Sequence, residues 1–265
     1  GLYKEALIIA DSAINLLQID TSYYGPELVR IYLLKGNSLV NQYRLDEAIH
    51  SFFKAKKINA KYNNFKQSAS INTQLANVLY LQKKFKEAIF YYKEAIKNFK
   101  RHDLENNANT IENQQRMQNN LGLSFENDNQ LDSAVSTYQV AVKTLDLLKP
   151  ITQKEKDYII YARAVALGNL GSAYYKLADY KRAEKTFLES LGLPKNDIQD
   201  GFFNKIKLAH VYIATKKFEK ALPIIKEIKK YLMEDKKPFL QVQLRFNELS
   251  WKYYDQTKNI DEAYP

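Results

Sequence analysis

The chain has 265 residues, of which 45% are hydrophobic and 26% charged, with 8 Gly, 6 Pro and no Cys; such a composition builds a folded core without disulfides, thiolate metal sites or a cysteine nucleophile. So few Gly and Pro exclude an all-β architecture, which needs a turn signal every 8–12 residues. The net charge of +10 comes from 40 Lys+Arg against 30 Asp+Glu, and 33 of the 40 are Lys; Arg supplies most bidentate contacts to phosphate and guanine, so nucleic acid is not the favoured partner.

The first predicted element is a helix over 3–19, opened by Tyr3-Lys4-Glu5-Ala6. That tetrad returns along the chain as Leu45-Asp46-Glu47-Ala48, Phe85-Lys86-Glu87-Ala88, Leu131-Asp132-Ser133-Ala134, Tyr180-Lys181-Arg182-Ala183, Phe218-Glu219-Lys220-Ala221 and Ile260-Asp261-Glu262-Ala263, with the alanines 42, 40, 46, 49, 38 and 42 residues apart. Four residues after the alanine stands an apolar or aromatic residue (Ala10, Phe52, Tyr92, Tyr138, Phe187, Ile225), and seven after it a small one (Ala13, Ala55, Ala95, Ala141, Ser190), Ile228 excepted. Offsets of four and seven line one face of a helix, here named helix B. Twelve residues before the alanine a second small residue recurs as Gly36, Ala76, Gly122, Gly171 and Ala209, followed three later by Leu39, Leu79, Phe125, Tyr174 and Tyr212. These mark a helix A ahead of each helix B, joined to it by a short turn such as Lys176-Leu177-Ala178-Asp179.

The spacing thus predicts one lone helix B at 3–19, helix pairs over about 26–58, 66–99, 109–148, 157–192 and 200–232, and a partial pair at 238–265. In the last unit one extra residue is expected between Tyr253 and Ile260. Because the chain opens on a helix B with no helix A before it and stops soon after another helix B begins, it is expected to be an excerpt of a longer protein. Small residues on both helices let the backbones approach, and Gly171 is expected to touch Ala183.

Leu170-Gly171, Tyr174, Tyr180, Ala183, Phe187 and Ser190 resemble the signature of the tetratricopeptide repeat family, and the resemblance runs the length of the chain. The family period is 34 residues, whereas these units average about 43, a lengthening similar to that in bacterial peptide-responsive regulators, kinesin light chains and sensor proteins. The resemblance implies an all-α fold: a right-handed α-solenoid of antiparallel helix pairs, a single domain over 1–265, with helices A lining the concave side and helices B outside.

No catalytic or metal-ligand spacing surrounds His50, His102 or His210, so no enzymatic activity, metal or cofactor is expected. Glu126-Asn127-Asp128-Asn129 and Asp132 look like a calcium loop but lack its sixth-place Gly and twelfth-place Glu, and read as a polar turn. Gly168 and Gly171 fall inside a helix A pattern and serve packing. The lysines between Lys216 and Lys237 form a solvated face.

Binding residues are expected on helix A, facing the groove. Eleven residues before the repeat alanine stand Asn37, Asn77, Leu123, Ser172 and His210; fourteen before it stand Leu34, Gln74, Asn120, Asn169 and Lys207. Four units thus offer an Asn (37, 77, 120, 169), and an amide satisfies both N–H and C=O of an extended chain. In the family, asparagine rows hold peptides. Arg30 and Arg116 add carboxylate recognition, and Tyr80 and Tyr175 add apolar walls with a polar tip. Asn77, Asn120 and Asn169 are expected in one slanted row. The expected function is a non-catalytic protein- or peptide-binding scaffold, in one variant the sensory region of a bacterial signal-transduction protein; the alternative is nucleic-acid binding through the basic surface. No segment has the apolar length to insert in a membrane, and a cytoplasmic or periplasmic location fits equally.

Overall fold

The computed structural model describes residues 2–102, 108–194, 198–235 and 239–258. Among them run twelve α-helices: α1 Leu2–Leu17, α2 Gly25–Val40, α3 Leu45–Asn59, α4 Phe65–Leu81, α5 Phe85–His102, α6 Ala108–Asn127, α7 Leu131–Leu145, α8 Gln153–Lys176, α9 Tyr180–Leu191, α10 Ile198–Ala214, α11 Phe218–Glu234 and α12 Leu240–Thr257. Helices α2, α4, α6, α8, α10 and α12 are A helices; α1, α3, α5, α7, α9 and α11 are B helices. The described residues contain no strand, and no described helix is long and apolar enough to cross a membrane.

The chain divides into two compact units, Gly1–Ser133 and Ala134–Pro265, where the spacing predicts one continuous domain. In the first, each helix from α1 to α6 packs on its neighbours in chain order. In the second, α8 packs on α9, α9 on α10, and α10 and α11 both on α12.

One device joins helix A to helix B throughout. Tyr43, Lys83, Asn129, Ala178 and Lys216 each have φ between 57° and 60°, and each stands five residues before the repeat alanine. The next residue's N–H reaches back to the last turn of helix A: Arg44 N to Leu39 O at 3.0 Å, Lys84 N to Leu79 O at 2.8 Å, Gln130 N to Phe125 O at 2.8 Å, Asp179 N to Tyr174 O at 3.0 Å and Lys217 N to Tyr212 O at 2.8 Å. This is the Schellman closure of a helix end, in which a left-handed residue lets the following amide satisfy an orphan carbonyl. The same residue then opens helix B, because its own carbonyl accepts the repeat alanine's N–H: Arg44 O from Ala48 N at 3.1 Å, Lys84 O from Ala88 N at 3.0 Å, Asp179 O from Ala183 N at 3.0 Å and Lys217 O from Ala221 N at 3.3 Å. Lys258 also has φ 59° and stands five before Ala263 in the sequence, the offset of the other five turns; the helix B expected after it, and with it the expected extra residue's effect on register, lies outside the described residues. Counted from the Lys258 turn, Tyr254 falls at the place of Tyr174 and Tyr212.

The small residue of helix A seats the aromatic of helix B. A Cβ built on Gly36 would lie 2.2 Å from the Phe52 ring, and one on Gly171 would lie 2.7 Å from the Phe187 ring. Gly171 was expected against Ala183; the atoms nearest its absent Cβ are those of Phe187, whose ring takes the space that a Cβ would fill. The repeat alanines Ala48, Ala88, Ala183 and Ala221 are fully buried. In the first unit Phe52 and Ala48 join Leu7, Val29, Ile71, Leu75 and Val78 in one core drawn from α1, α2, α3 and α4. This continuity between layers is what a single helix pair lacks. Gly168 serves the join between units of the repeat: the Asn204 Oδ1 on α10 occupies the space of its absent Cβ, while Asn204 Nδ2 donates to Ser190 Oγ at 2.9 Å and Ser190 Oγ donates to the Ala164 carbonyl at 3.0 Å.

Candidate functional site

In the first unit, helices α4 and α6 present their polar faces over α5 and leave two adjoining clefts. One, of about 240 Å³, is lined by Asn77, Tyr80, Leu81, Tyr92, Asn120 and Leu123. The other, of about 340 Å³, runs along Lys66, Ser70, Thr73 and Gln74 of α4 and Arg116, Met117 and Asn120 of α6, again with Asn77. Asn77 and Asn120 therefore stand on the boundary of both. Their positions follow from helical spacing: Gln74 and Asn77 on α4, and Arg116 and Asn120 on α6, are three or four residues apart and share a face.

The two amides are held from beneath by a residue that sequence spacing assigned only to stacking. Tyr92 of α5 is buried, and its hydroxyl donates to Asn77 Oδ1 at 2.5 Å while also contacting the Asn120 amide. Burial pushes its pKa well up, with the Asn120 contact opposing, so the phenol stays neutral. Asn77 Nδ2 in turn donates to Gln74 Oε1 at 3.1 Å. The signal for Tyr92 was present: a Tyr where Phe52 and Phe187 stand in other units carries a hydroxyl that must find a partner once buried. Tyr80 walls the smaller cleft; its ring meets Phe85 edge-on at 5.5 Å, its hydroxyl accepts from Asn127 Nδ2 at 3.1 Å, and burial, then Glu126, raise its pKa. Thr73 Oγ1 contacts Met117 Sδ at 3.4 Å and ties α4 to α6.

Of the other expected residues in this unit, Asn37 is half-buried and Arg30 exposed on α2; neither lines the two clefts.

In the second unit Asn169 is half-buried on α8, and the Tyr175 ring tilts against Tyr180 at 5.7 Å. Tyr175 and His210 belong to one cluster with α12: Lys252 Nζ donates to the Tyr175 hydroxyl at 3.4 Å, and burial, with Lys252 adding to it and Glu248 opposing, lowers the His210 pKa to about 4. The imidazole is thus neutral at pH 7. Lys207 Nζ approaches the Gly168 carbonyl at 3.4 Å, and the Arg245 guanidinium lies 5.3 Å from the Phe203 ring centre. Lys252 was not singled out in the sequence, because the last unit's rows were not counted; taken from the Lys258 turn it stands eleven residues before Ala263, in the row of Asn37, Asn77 and His210. Asn169 was expected in line with Asn77 and Asn120; it stands on α8 in the second unit and is not among the residues lining the two clefts of the first. Among the described residues no three His, Asp or Glu stand where they could hold a metal ion.

Antiparallel helix pairs, five closed by the same left-handed turn and two seated glycine-on-aromatic, define a helical-repeat protein. Two stretches match models of the tetratricopeptide repeat: residues 69–101, which fall in α4 and α5, and 166–197, which cover the end of α8 and α9. No curated protein matches the sequence. Among solved structures, the apo form of RapI superposes with a TM-score of 0.75 at 17% identity, over 98% of this chain and 68% of that one. A signal-transduction ATPase with numerous domains and a tetratricopeptide repeat sensor, from Pyrococcus horikoshii, gives 0.72 at 18%, over 100% of this chain and 40% of that one. YrrB, described as a tetratricopeptide repeat protein with an unusual peptide-binding site, gives 0.52 at 17%, over 82% and 89%.

Proposed function

We propose that the chain is a non-catalytic scaffold that holds an extended peptide or protein segment against its A helices, and that it serves as the sensory region of a signalling protein. The observation that carries the binding reading is the pair Asn77 and Asn120, which flank a shared cleft boundary and are both oriented by Tyr92. Two fixed amides offer donors and acceptors at the spacing of neighbouring helices, and a backbone laid across them loses little in ordering them, because Tyr92 has already done so. YrrB's peptide-binding site lends support, and the repeat sensor of the Pyrococcus ATPase supports the sensory role.

The test is Asn120→Ala in the whole chain, with affinity measured for peptides selected on an array. Binding should weaken by about 1–3 kcal/mol through an unpaired backbone group, while unfolding moves by less than about 0.5 kcal/mol, since Tyr92 keeps its bond to Asn77. Loss of stability with affinity intact would make the amide structural and end the reading.

A further inference from the structure

The two clefts that meet at Asn77 and Asn120 differ in chemistry, and the difference specifies a ligand. The smaller is walled by Tyr80, Leu81, Tyr92 and Leu123; with the Tyr92 hydroxyl already bonded to Asn77, it offers mainly hydrocarbon to an entering group. The larger carries Lys66 on α4 and Arg116 on α6, both exposed, and among the described residues neither forms an ion pair. Two cations across a polar cleft attract a carboxylate, and the guanidinium fork suits it bidentately.

We propose that this groove selects peptide segments in which an aliphatic residue and an Asp or Glu stand two apart, the aliphatic side chain entering the Tyr80–Leu123 cleft and the carboxylate meeting Arg116 and Lys66. The inference rests on the peptide reading above and adds the specificity. In an extended chain, side chains two apart point the same way, while those next to each other point to opposite faces. A backbone crossing the Asn77–Asn120 boundary therefore drops residues i and i+2 into the two clefts, and adjacent residues have no such fit. Amides accept either chain direction, so aliphatic–X–acid and acid–X–aliphatic both belong to the class.

An array of eight-residue peptides, with either two adjacent or two alternate positions randomised on a Ser/Ala background, is probed with the whole labelled chain, and hits are titrated by fluorescence anisotropy. Aliphatic–acid pairs two apart should bind at least tenfold more tightly than the same peptides with Ser for the aliphatic residue or the amide for the acid. Arg116→Gln should abolish the preference for the acid and leave that for the aliphatic residue; Leu123→Ser should do the reverse. Equal binding of adjacent and alternate pairs, or an acid preference that survives Arg116→Gln, would reduce the selectivity to general attraction by a basic protein and overturn the signature, with peptide binding itself intact. Absence of any bound peptide would overturn the signature and the peptide reading together.

Discussion

Replacing Gly171 by Ala tests the glycine-on-aromatic packing directly. The new Cβ would stand 2.7 Å from Phe187 Cε1 and 2.9 Å from Cδ1 and Cζ, so the ring must retreat by about 0.7 Å before the closest pair reaches the ordinary 3.4 Å. Phe187 is fully buried and has no free side toward which to move. Overpacking of this kind costs about 1–3 kcal/mol, and Ala returns about 1 kcal/mol through its better helix propensity; a net loss of about 1 kcal/mol is expected. Gly36→Ala should cost more, about 2 kcal/mol, because its Cβ meets the Phe52 ring at 2.2 Å. Gly192→Ala should gain about 0.5 kcal/mol: Gly192 has φ −77°, and a Cβ there finds nothing closer than 3.4 Å. Urea unfolding followed by circular dichroism orders the three. If Gly171→Ala matches or exceeds the parent in stability, Phe187 does not sit on Gly171. In a Phe187→Leu background the Gly171→Ala cost should shrink, because the ring that it strikes is gone.

Two further outcomes are expected. Ala178→Gly should raise stability by about 1 kcal/mol in the same urea assay, since Ala178 holds φ 57°, where a Cβ is strained and Gly is not. His210 should make stability fall on acidification: its pKa drops from 6.5 to about 4 in the folded chain, so the unfolded chain binds the extra proton first as pH falls through that window, and at most about 3 kcal/mol is lost by its lower end. Above pH 6.5 the residue contributes no slope. His210→Gln should flatten that part of the stability profile relative to the parent, and an unchanged profile would refute the burial of the imidazole among Lys252 and Glu248.

The helix pairs were legible because stacking demands a small residue at a fixed step, and Ala48, Ala88, Ala183 and Ala221 keep that step through units of unequal length. Which side chains meet was less legible. Periodicity places Gly171, Ala183 and Phe187 on facing sides, but the choice between Ala183 and Phe187 as the partner of Gly171 depends on helix offset, which spacing does not encode. The Asn77–Asn120 pairing was visible as groove-facing positions, whereas the Tyr92 hydroxyl beneath them came from the helix counted as outside. The left-handed turn left almost no trace: Tyr, Lys, Asn, Ala and Lys occupy it, with only Asn129 a residue that favours such backbone, because main-chain hydrogen bonds impose the conformation. Reading Lys252 correctly required that turn, since Lys258 sets the register from which it is counted.

The shared residue of the A–B turn makes that turn intolerant of indels. Arg44, Lys84, Asp179 and Lys217 each end one helix and begin the next, so adding or deleting one residue there would break both sets of bonds and rotate helix B by about a quarter turn. The described connections from a helix B to the next helix A vary instead: five residues separate α3 from α4 and seven separate α7 from α8, and the A helices range from 16 to 24 residues. A tag, label or grafted loop therefore belongs between a helix B and the next helix A, where the chain has already varied without disturbing the face that Asn77 and Asn120 present.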